Sequence, residues 1–188
     1  MKRILFVCTG NTCRSPMAEA MLRDMAKRSG IEIEVRSAGV SAIDGLPIST
    51  HAAETLRTRQ INHHSTSHAI NGEAVDWADL ILTMTSGHKR NLLQWFPNVV
   101  DKAYTLKEYV NQDVLSDIQE LERLYSEMHM KQALGQQLTN DERTQLLQLE
   151  RRIPSFDIVD PYGGPLEMYR HSANEIEESL RMLLKKLE

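Results

Sequence analysis

The residues best suited to chemistry lie near the start of the chain, in the segment Cys8-Thr9-Gly10-Asn11-Thr12-Cys13-Arg14-Ser15. An apolar run ends just before this segment, and a helical pattern with Pro16 in its first turn begins just after it. Backbone N–H groups of a tight loop that leads into a helix converge on one point, where the helix dipole favours negative charge. The spacing therefore predicts a cradle for a phosphoryl group.

Two residues of this loop, Cys8 and Arg14, are predicted to be catalytic. The planar guanidinium of Arg14 can hold two phosphate oxygens and follow them into the transition state. The same positive environment favours the thiolate of Cys8, the form that attacks phosphorus. The alternative is a buried core cysteine beside a solvated arginine, since free cysteines are often simply buried. The complete pattern of strand, loop and helix favours the reactive interpretation.

The other loop residues are predicted to bind the substrate: Thr9, Gly10, Asn11, Thr12, Cys13 and Ser15. Gly10 permits backbone angles that other residues resist, and Asn11 tolerates the left-handed region better than most. The Ser15 hydroxyl is suited to donate to the thiolate or to help the sulfur leave. Cys13 is either a small loop residue or a partner for reversible disulfide formation with Cys8.

A second candidate segment lies near the end of the chain, Asp160-Pro161-Tyr162-Gly163-Gly164. The reaction needs a proton donor for the leaving group and then a base for the attacking water, and Asp160 is the candidate for both. Pro161 restricts Asp160 to extended conformations, and the glycines let the loop turn. The alternative is an Asx-type turn residue, and the local sequence does not decide between the two. Tyr162 follows the proposed acid and is predicted to line the entrance of the pocket.

The string Phe6-Val7-Cys8-Thr9-Gly10-Asn11-Thr12-Cys13-Arg14-Ser15-Pro16 resembles the signature of the low-molecular-weight protein tyrosine phosphatases. The strings Ser37-Ala38-Gly39 and Asp160-Pro161-Tyr162-Gly163-Gly164 match further landmarks of that family. The resemblance implies a cysteine-dependent protein phosphatase with Asp160 as the general acid; its two-step reaction requires neither a metal nor a cofactor. The sequence is most similar to the bacterial protein arginine phosphatase branch, because Thr12 stands where tyrosine phosphatases typically carry a larger apolar residue.

Four functions are compared. A phosphoarginine phosphatase and a phosphotyrosine phosphatase share this mechanism and differ in the pocket, and the first is preferred. An arsenate reductase uses a similar loop but relays a disulfide through further cysteines, and none follows Cys13. A non-enzymatic phosphate-binding module is disfavoured because Cys8, Arg14 and Asp160 are all present.

The elements that must position these residues alternate between strand and helix. Predicted strands span 4–7, 31–35, 80–82 and 103–106, the second near a sheet edge and the fourth weak. Predicted helices span 15–27, 47–59, 86–96 and 165–187. The pattern predicts an α/β fold in which residues 1–188 form a single domain with a parallel sheet flanked by helices. Active groups are then expected at the carboxyl ends of the strands.

Residues 113–156 interrupt this alternation, since they are rich in Gln, Glu and Leu and show no strand signal. Apolar residues recur at helical spacing from Val114 to Met128, and Gly135 is suited to end that helix. Thr139 and Glu142 fit a capping box that opens a second helix, which Pro154 stops. We expect an inserted helical hairpin, a departure from both branches of the family, with a candidate partner surface on it.

Composition restricts the partners. The chain has 188 residues, 26% of them charged, and a formal net charge of −4. Acidic and basic residues are interleaved, which argues against a nucleic-acid binder. No apolar run approaches the roughly 18 residues of a membrane span, and two cysteines are too few for a secreted disulfide framework. We expect a cytoplasmic protein that acts on phosphorylated proteins and has neither nucleic acid nor membrane as a partner.

Histidines and tryptophans give weaker signals. Four histidines cluster loosely at a spacing that fits no metal motif: His51, His63, His64 and His68. His88 precedes two basic residues and is predicted to lie on a solvated helix face. Trp77 and Trp95 are predicted to pack in the core.

Overall fold

A computed structural model of the chain describes residues 1–188, apart from the side chain of Gln112. The chain divides into two compact units. The first unit comprises Met1–Val110 and Phe156–Glu188, and the second comprises Asn111–Ser155.

A four-stranded parallel sheet forms the centre of the first unit. Its strands are β1 (Lys2–Cys8), β2 (Ile33–Gly39), β3 (Leu80–Thr83) and β4 (Ala103–Thr105), in the order β2-β1-β3-β4. The four predicted strands are confirmed, including the edge position of the second. β2 extends further than predicted because it stays paired with β1 until Gly39 lies opposite Cys8.

The α-helices in the described part of the chain are α1 (Arg14–Ser29), α2 (Thr50–Thr58), α3 (Gly72–Trp77), α4 (Ser86–Trp95), α5 (Leu106–Val110), α6 (Leu115–Ala133), α7 (Asn140–Arg152) and α8 (Leu166–Leu187). The predicted helices near residues 15, 47, 86 and 165 are therefore confirmed. The short helices α3 and α5 were not predicted, because a helical period is not recognisable over five or six residues. No described helix is long and apolar enough to cross a membrane.

Both faces of the sheet are covered, which explains why β1 is apolar without alternation. On one face, Ile4 and Phe6 pack with α1 and with the buried stripe of α8. On the other face, Leu5 and Val7 pack with α3 and α4. Both alternate sets are fully buried or nearly so, and the strand delivers Cys8 to its carboxyl end within this core.

The tryptophan prediction is half right. Trp77 is partly buried against the core, and the Arg36 guanidinium lies 4.1 Å from the centre of its ring. The core prediction for Trp95 is wrong, since 56% of the residue is exposed. Trp95 is the last residue of α4, and the core contacts of this part of the chain are made by Leu92 before it and Val99 after it.

The second unit consists mainly of the antiparallel helices α6 and α7. Arg152 at the end of α7 pairs with Asp117 in the first turn of α6, at 3.0 Å. The predicted capping box is present: the Thr139 hydroxyl accepts from the Glu142 N–H at 3.2 Å, and the Glu142 carboxylate accepts from the Thr139 N–H at 2.9 Å. Gly135, with a φ of 70°, follows α6 directly after Leu134, the C-cap.

Candidate active site

The loop after β1 is held by backbone hydrogen bonds from the chain that follows β2. The Val40 N–H donates to the Cys8 carbonyl, and the Ser41 N–H donates to the Thr9 carbonyl, both at 2.9 Å. Gly39 has no room for a side chain, since a Cβ there would lie 2.4 Å from the Thr9 carbonyl oxygen and 2.9 Å from the Asn11 nitrogen. The end of β2 and the residues that follow it therefore hold the backbone of the loop in place.

The turn of the loop is made by Asn11, which has a φ of 55° and is buried. The prediction that Asn11 takes the left-handed region is confirmed. The prediction for Gly10 is wrong, because Gly10 does not have a positive φ, and a Cβ there would meet only the Thr12 hydroxyl at 3.8 Å. One left-handed residue is enough to turn the loop, and Asn11 takes that conformation.

Asn11 is stabilised there because every hydrogen-bonding group of its amide is used. Its Nδ2 donates to the Ser15 hydroxyl at 2.8 Å and to the Ser37 hydroxyl at 2.9 Å. Its Oδ1 accepts from the His68 backbone N–H at 2.8 Å. Ser37 in turn donates to Glu19 at 2.5 Å. This buried network connects the loop with α1 and β2, and such networks rigidify a site when they are fully satisfied.

The network also orients Ser15 towards Cys8, the candidate nucleophile. The Ser15 Oγ lies 2.9 Å from the Cys8 Sγ, and both residues are buried. Asn11 donates to the Ser15 oxygen, so the Ser15 hydrogen can be donated to the sulfur, which is nearer than its other acceptor, the Ala38 carbonyl at 3.5 Å. A hydroxyl that donates to sulfur stabilises a thiolate, as does the amino end of α1.

Arg14 and Asp160 meet at the same point. The Arg14 side chain is only 4% exposed; its Nη1 donates to the Ile158 carbonyl at 3.1 Å, and its Nη2 lies 3.3 Å from the Asp160 Oδ2. The other carboxylate oxygen of Asp160, Oδ1, accepts from the Tyr162 N–H at 3.1 Å, as in an Asx turn. The turn continues through Gly163, whose φ is 73°. The two interpretations of Asp160 are therefore compatible, since each uses a different oxygen.

Two backbone N–H groups just before Asp160 connect its segment to the end of β3 and to α8. The Ile158 N–H donates to the Met84 carbonyl, just beyond β3, at 2.8 Å. The Val159 N–H donates to Glu175 of α8 at 3.2 Å. The carboxylate itself is 57% exposed at the end of this anchored segment, so it is positioned but open to solvent.

A pocket of about 320 Å³ opens over the loop, and it is lined by Cys8, Thr9, Gly10, Thr12, Cys13, Arg14, Ser41, Ile43, Leu46, Asp160 and Tyr162. Eight of the ten predicted site residues line it. The other two, Asn11 and Ser15, are buried and do not line the pocket, but they form hydrogen bonds within the loop. Tyr162 is 80% exposed at the rim. Sequence reasoning missed three lining residues that follow β2, namely Ser41, Ile43 and Leu46.

Cys13 lines the pocket and also contacts α8. Its sulfur is 3.5 Å from the Tyr169 hydroxyl and 3.5 Å from the Ser49 hydroxyl. Burial, together with the hydrogen bond to Cys13, raises the pKa of Tyr169 to about 12. Tyr169 therefore keeps its proton at neutral pH.

His88 is the main residue that sequence reasoning misplaced. The predicted solvated position is wrong: His88 is 6% exposed, and its Nε2 lies 2.8 Å from the Thr9 Oγ1. Burial first, and then the charge of Arg14, lowers the pKa of His88 to about 4, so the imidazole is neutral at pH 7. A signal was available, because α4 begins beyond β3, at the sheet edge where the loop lies.

Metal binding has no support in the described part of the chain. There, no group of three or more His, Cys, Asp or Glu side chains is placed to hold a metal ion.

The family model for the low molecular weight phosphotyrosine protein phosphatases matches residues 3–128. The protein-arginine-phosphatase of Bacillus subtilis (strain 168) is 35% identical, over 98% of this chain and 95% of its own length. The protein-arginine-phosphatase of Geobacillus stearothermophilus is 36% identical, over 99% of this chain and 96% of its own length.

Solved structures agree with these matches. The YwlE arginine phosphatase from Geobacillus stearothermophilus has a TM-score of 0.74 and 35% identity, covering 100% of this chain and 93% of that one. A low molecular weight protein tyrosine phosphatase from T. tengcongensis has a TM-score of 0.74 and 32% identity, covering 99% of each chain. With its loop, its parallel sheet and these matches, the chain belongs to the low molecular weight phosphotyrosine protein phosphatase family.

Proposed function

We propose that this chain is a protein arginine phosphatase, which hydrolyses phosphoarginine through a cysteinyl-phosphate intermediate. The observation that carries the proposal is the composition of the pocket. Cys8, Arg14 and Asp160 line it together, and two threonines, Thr9 and Thr12, line it beside them. The two relatives named protein-arginine-phosphatase, each similar over nearly its whole length, support the same substrate class.

In the first step, the Cys8 thiolate attacks phosphorus in line with the bond to the guanidino nitrogen. The S–P bond forms as the P–N bond breaks, and Asp160 in its acid form protonates the departing nitrogen. Arg14 and the N–H groups of the loop hold the equatorial oxygens, where charge develops. The buried position of Arg14 strengthens its effect, because little water screens it.

In the second step, water replaces the sulfur. Asp160, now a carboxylate, takes a proton from the water as it attacks the cysteinyl phosphate, and the P–S bond breaks. Ser15, 2.9 Å from the sulfur, stabilises the departing thiolate. The products are inorganic phosphate and the free enzyme, with the proton back on Asp160.

The choice of substrate depends on the pocket wall. A phosphorylated guanidinium carries N–H groups that lose free energy if they are buried without partners. Thr12 has a polar hydroxyl, and its side chain is smaller than a large apolar one. Asp160 lines the same pocket and can accept a hydrogen bond from the guanidinium.

Phosphotyrosine is the second candidate, and the rim of the pocket is compatible with it. Ile43, Leu46 and Tyr162 are exposed apolar residues that a phenyl ring can contact. They also suit the three methylene groups of an arginine side chain, so the rim by itself does not select between the two substrates. In this proposal, the residue that selects between them is Thr12.

The direct test compares two peptides of the same sequence that carry either phosphoarginine or phosphotyrosine. We expect kcat/KM to be higher for phosphoarginine, and we expect Cys8→Ser to abolish turnover of both while it preserves the fold. A wild-type enzyme that prefers phosphotyrosine would overturn the assignment of substrate. Appreciable turnover by Cys8→Ser would overturn the covalent mechanism.

Thr12→Ile tests the selector itself. The ratio of the two kcat/KM values should shift towards phosphotyrosine by about 10-fold or more, equal to about 1.4 kcal/mol of differential transition-state binding. If the ratio does not move, Thr12 is not the selector.

The setting of the enzyme follows from the same chemistry. A thiolate nucleophile must stay reduced, which the cytoplasm ensures. We therefore propose a cytoplasmic enzyme whose substrates are phosphorylated proteins. Met130, Leu134 and Leu147 of the second unit are exposed apolar residues, and we propose that this unit carries a contact surface for a partner protein.

A further inference from the structure

His88 has no task in the two chemical steps, although it is buried against the phosphate loop. It lies in the first turn of α4, where its backbone N–H donates to the Thr85 hydroxyl at 3.1 Å. Its Nε2 is 2.8 Å from the hydroxyl of Thr9, the residue that directly follows the nucleophile. Its other ring nitrogen, Nδ1, is buried and has no hydrogen-bond partner among the described residues.

The unpartnered nitrogen indicates which tautomer is present. A neutral imidazole carries its proton on one nitrogen and a lone pair on the other. A proton on Nδ1 would leave a buried N–H without an acceptor, which is rare in folded proteins; an unused lone pair is tolerated more often. The proton therefore lies on Nε2, and His88 donates to the Thr9 oxygen.

This donation determines what Thr9 offers to the pocket. A hydroxyl has two lone pairs and one proton. His88 occupies one lone pair and thereby limits the rotation of the Thr9 side chain. The second lone pair remains free to accept from an N–H group, and Thr9 belongs to the pocket lining.

We propose that His88 is a positioning residue for substrate selection, which fixes the Thr9 hydroxyl so that it accepts a hydrogen bond from the phosphorylated guanidinium. The proposal rests on the proposed function and deepens it, because it assigns a second hydroxyl, besides that of Thr12, to recognition of phosphoarginine. Phosphotyrosine has no N–H group at the corresponding place and gains nothing from this acceptor.

The charges around His88 keep it in the form that the proposal needs. Arg14 faces it and opposes protonation, while Asp160 and Asp157 favour protonation. Burial is the largest influence, and the pKa of His88 falls to about 4. The neutral form therefore predominates at neutral pH, where His88 keeps its contact with Thr9.

The test uses four variants of the full chain: Thr9→Val, His88→Leu, the double variant, and His88→Gln. Valine has the shape of threonine without the hydroxyl. Leucine removes both ring nitrogens, whereas glutamine retains an N–H donor at nearly the distance of Nε2. For each variant, kcat/KM is measured with a phosphoarginine peptide and with a small aryl phosphate, and thermal unfolding verifies the fold.

We expect Thr9→Val to reduce the ratio of phosphoarginine to aryl phosphate kcat/KM by about 10-fold, the effect of one hydrogen bond to a charged group. His88→Leu should reduce the ratio to a similar extent, and the double variant should be no worse than Thr9→Val, because the two residues act through one contact. His88→Gln should restore most of the ratio.

Three results would overturn the proposal. The first is an unchanged kcat/KM for both substrates in Thr9→Val, a variant that remains informative even if His88→Leu does not fold. The second is an equal loss for both substrates, which would mean that Thr9 only maintains the loop. The third is an additive double variant. Failure of the proposed function can be distinguished from these results, because the wild-type enzyme itself would then not hydrolyse the phosphoarginine peptide.

Discussion

Replacing Asn11 removes the residue that both turns the phosphate loop and ties it to its support. Two variants separate these tasks. Asn11→Gly retains the freedom to adopt the φ of 55° and loses the amide, whereas Asn11→Ala loses the amide and also brings a Cβ into the left-handed region. The difference in the free energy of unfolding between the two variants isolates the backbone contribution. The loss of stability that both variants share measures the contribution of the hydrogen-bond network.

The magnitude follows from the contacts. Three hydrogen bonds disappear in both variants, those with Ser15, Ser37 and the His68 N–H. At a net ~1 kcal/mol each, the free energy of unfolding should fall by about 3 kcal/mol. Alanine in the left-handed region costs a further 1–2 kcal/mol or so. Glycine has more freedom in the unfolded chain, which offsets up to about 1 kcal/mol of that. Asn11→Ala should therefore be less stable than Asn11→Gly by about 1 kcal/mol.

The assay is equilibrium unfolding in urea, with kcat for an aryl phosphate as a second measurement. As a control, Asn98→Ala, at an exposed position, should change the free energy of unfolding by less than about 0.5 kcal/mol. In the Asn11 variants kcat should also fall, because Ser15 loses the donor that orients it towards Cys8. Equal stabilities of the Gly and Ala variants would refute the backbone argument. A loss below 1 kcal/mol in both would refute the network argument.

Three further predictions concern the acid, the second cysteine and the second unit. Asp160→Asn should slow phosphoarginine hydrolysis by roughly 10²–10⁴-fold and slow aryl phosphates with good leaving groups less; equal losses across leaving groups would indicate a structural role. Mild peroxide should inactivate the enzyme reversibly through a Cys8–Cys13 disulfide, and Cys13→Ser should lose recovery by thiols, because Cys8 then proceeds to irreversible acids. Identical recovery of both proteins would mean that Cys13 only fills space. Replacing Asn111–Ser155 with a short linker should preserve hydrolysis of a small aryl phosphate, since every residue that lines the pocket belongs to the first unit. A folded deletion variant without that activity would show that the second unit helps to place Asp160.

The loop and the longer helices were predictable from the sequence because they depend on residues close together in the chain. The strand, the loop and α1 follow one another without interruption, so the convergence of N–H groups needs no distant partner. The capping box at Thr139 is of the same kind, since its two hydrogen bonds join residues three positions apart. Asn11 in the left-handed region is likewise a property of the residue and of its turn.

Contacts between distant parts of the chain could not be predicted in this way. The hydrogen bond from His88 to Thr9 spans 79 residues, and the one from Arg14 to the Ile158 carbonyl spans 144. In the local sequence, His88 stands beside two basic residues and suggests a solvated helix face. Only the packing of α4 against the carboxyl edge of the sheet buries it.

The sequence by itself thus indicated the candidate nucleophile, the candidate phosphate loop, the acid candidate and the order of the strands and of the longer helices. The tertiary structure decided that Asp160 can serve a turn with one oxygen and Arg14 with the other, and that a buried amide rather than Gly10 shapes the loop. The physical reason is that local propensities limit each residue to a few conformations. The hydrogen bonds and burial that select one of them come from partners brought together only when the sheet and its helices assemble.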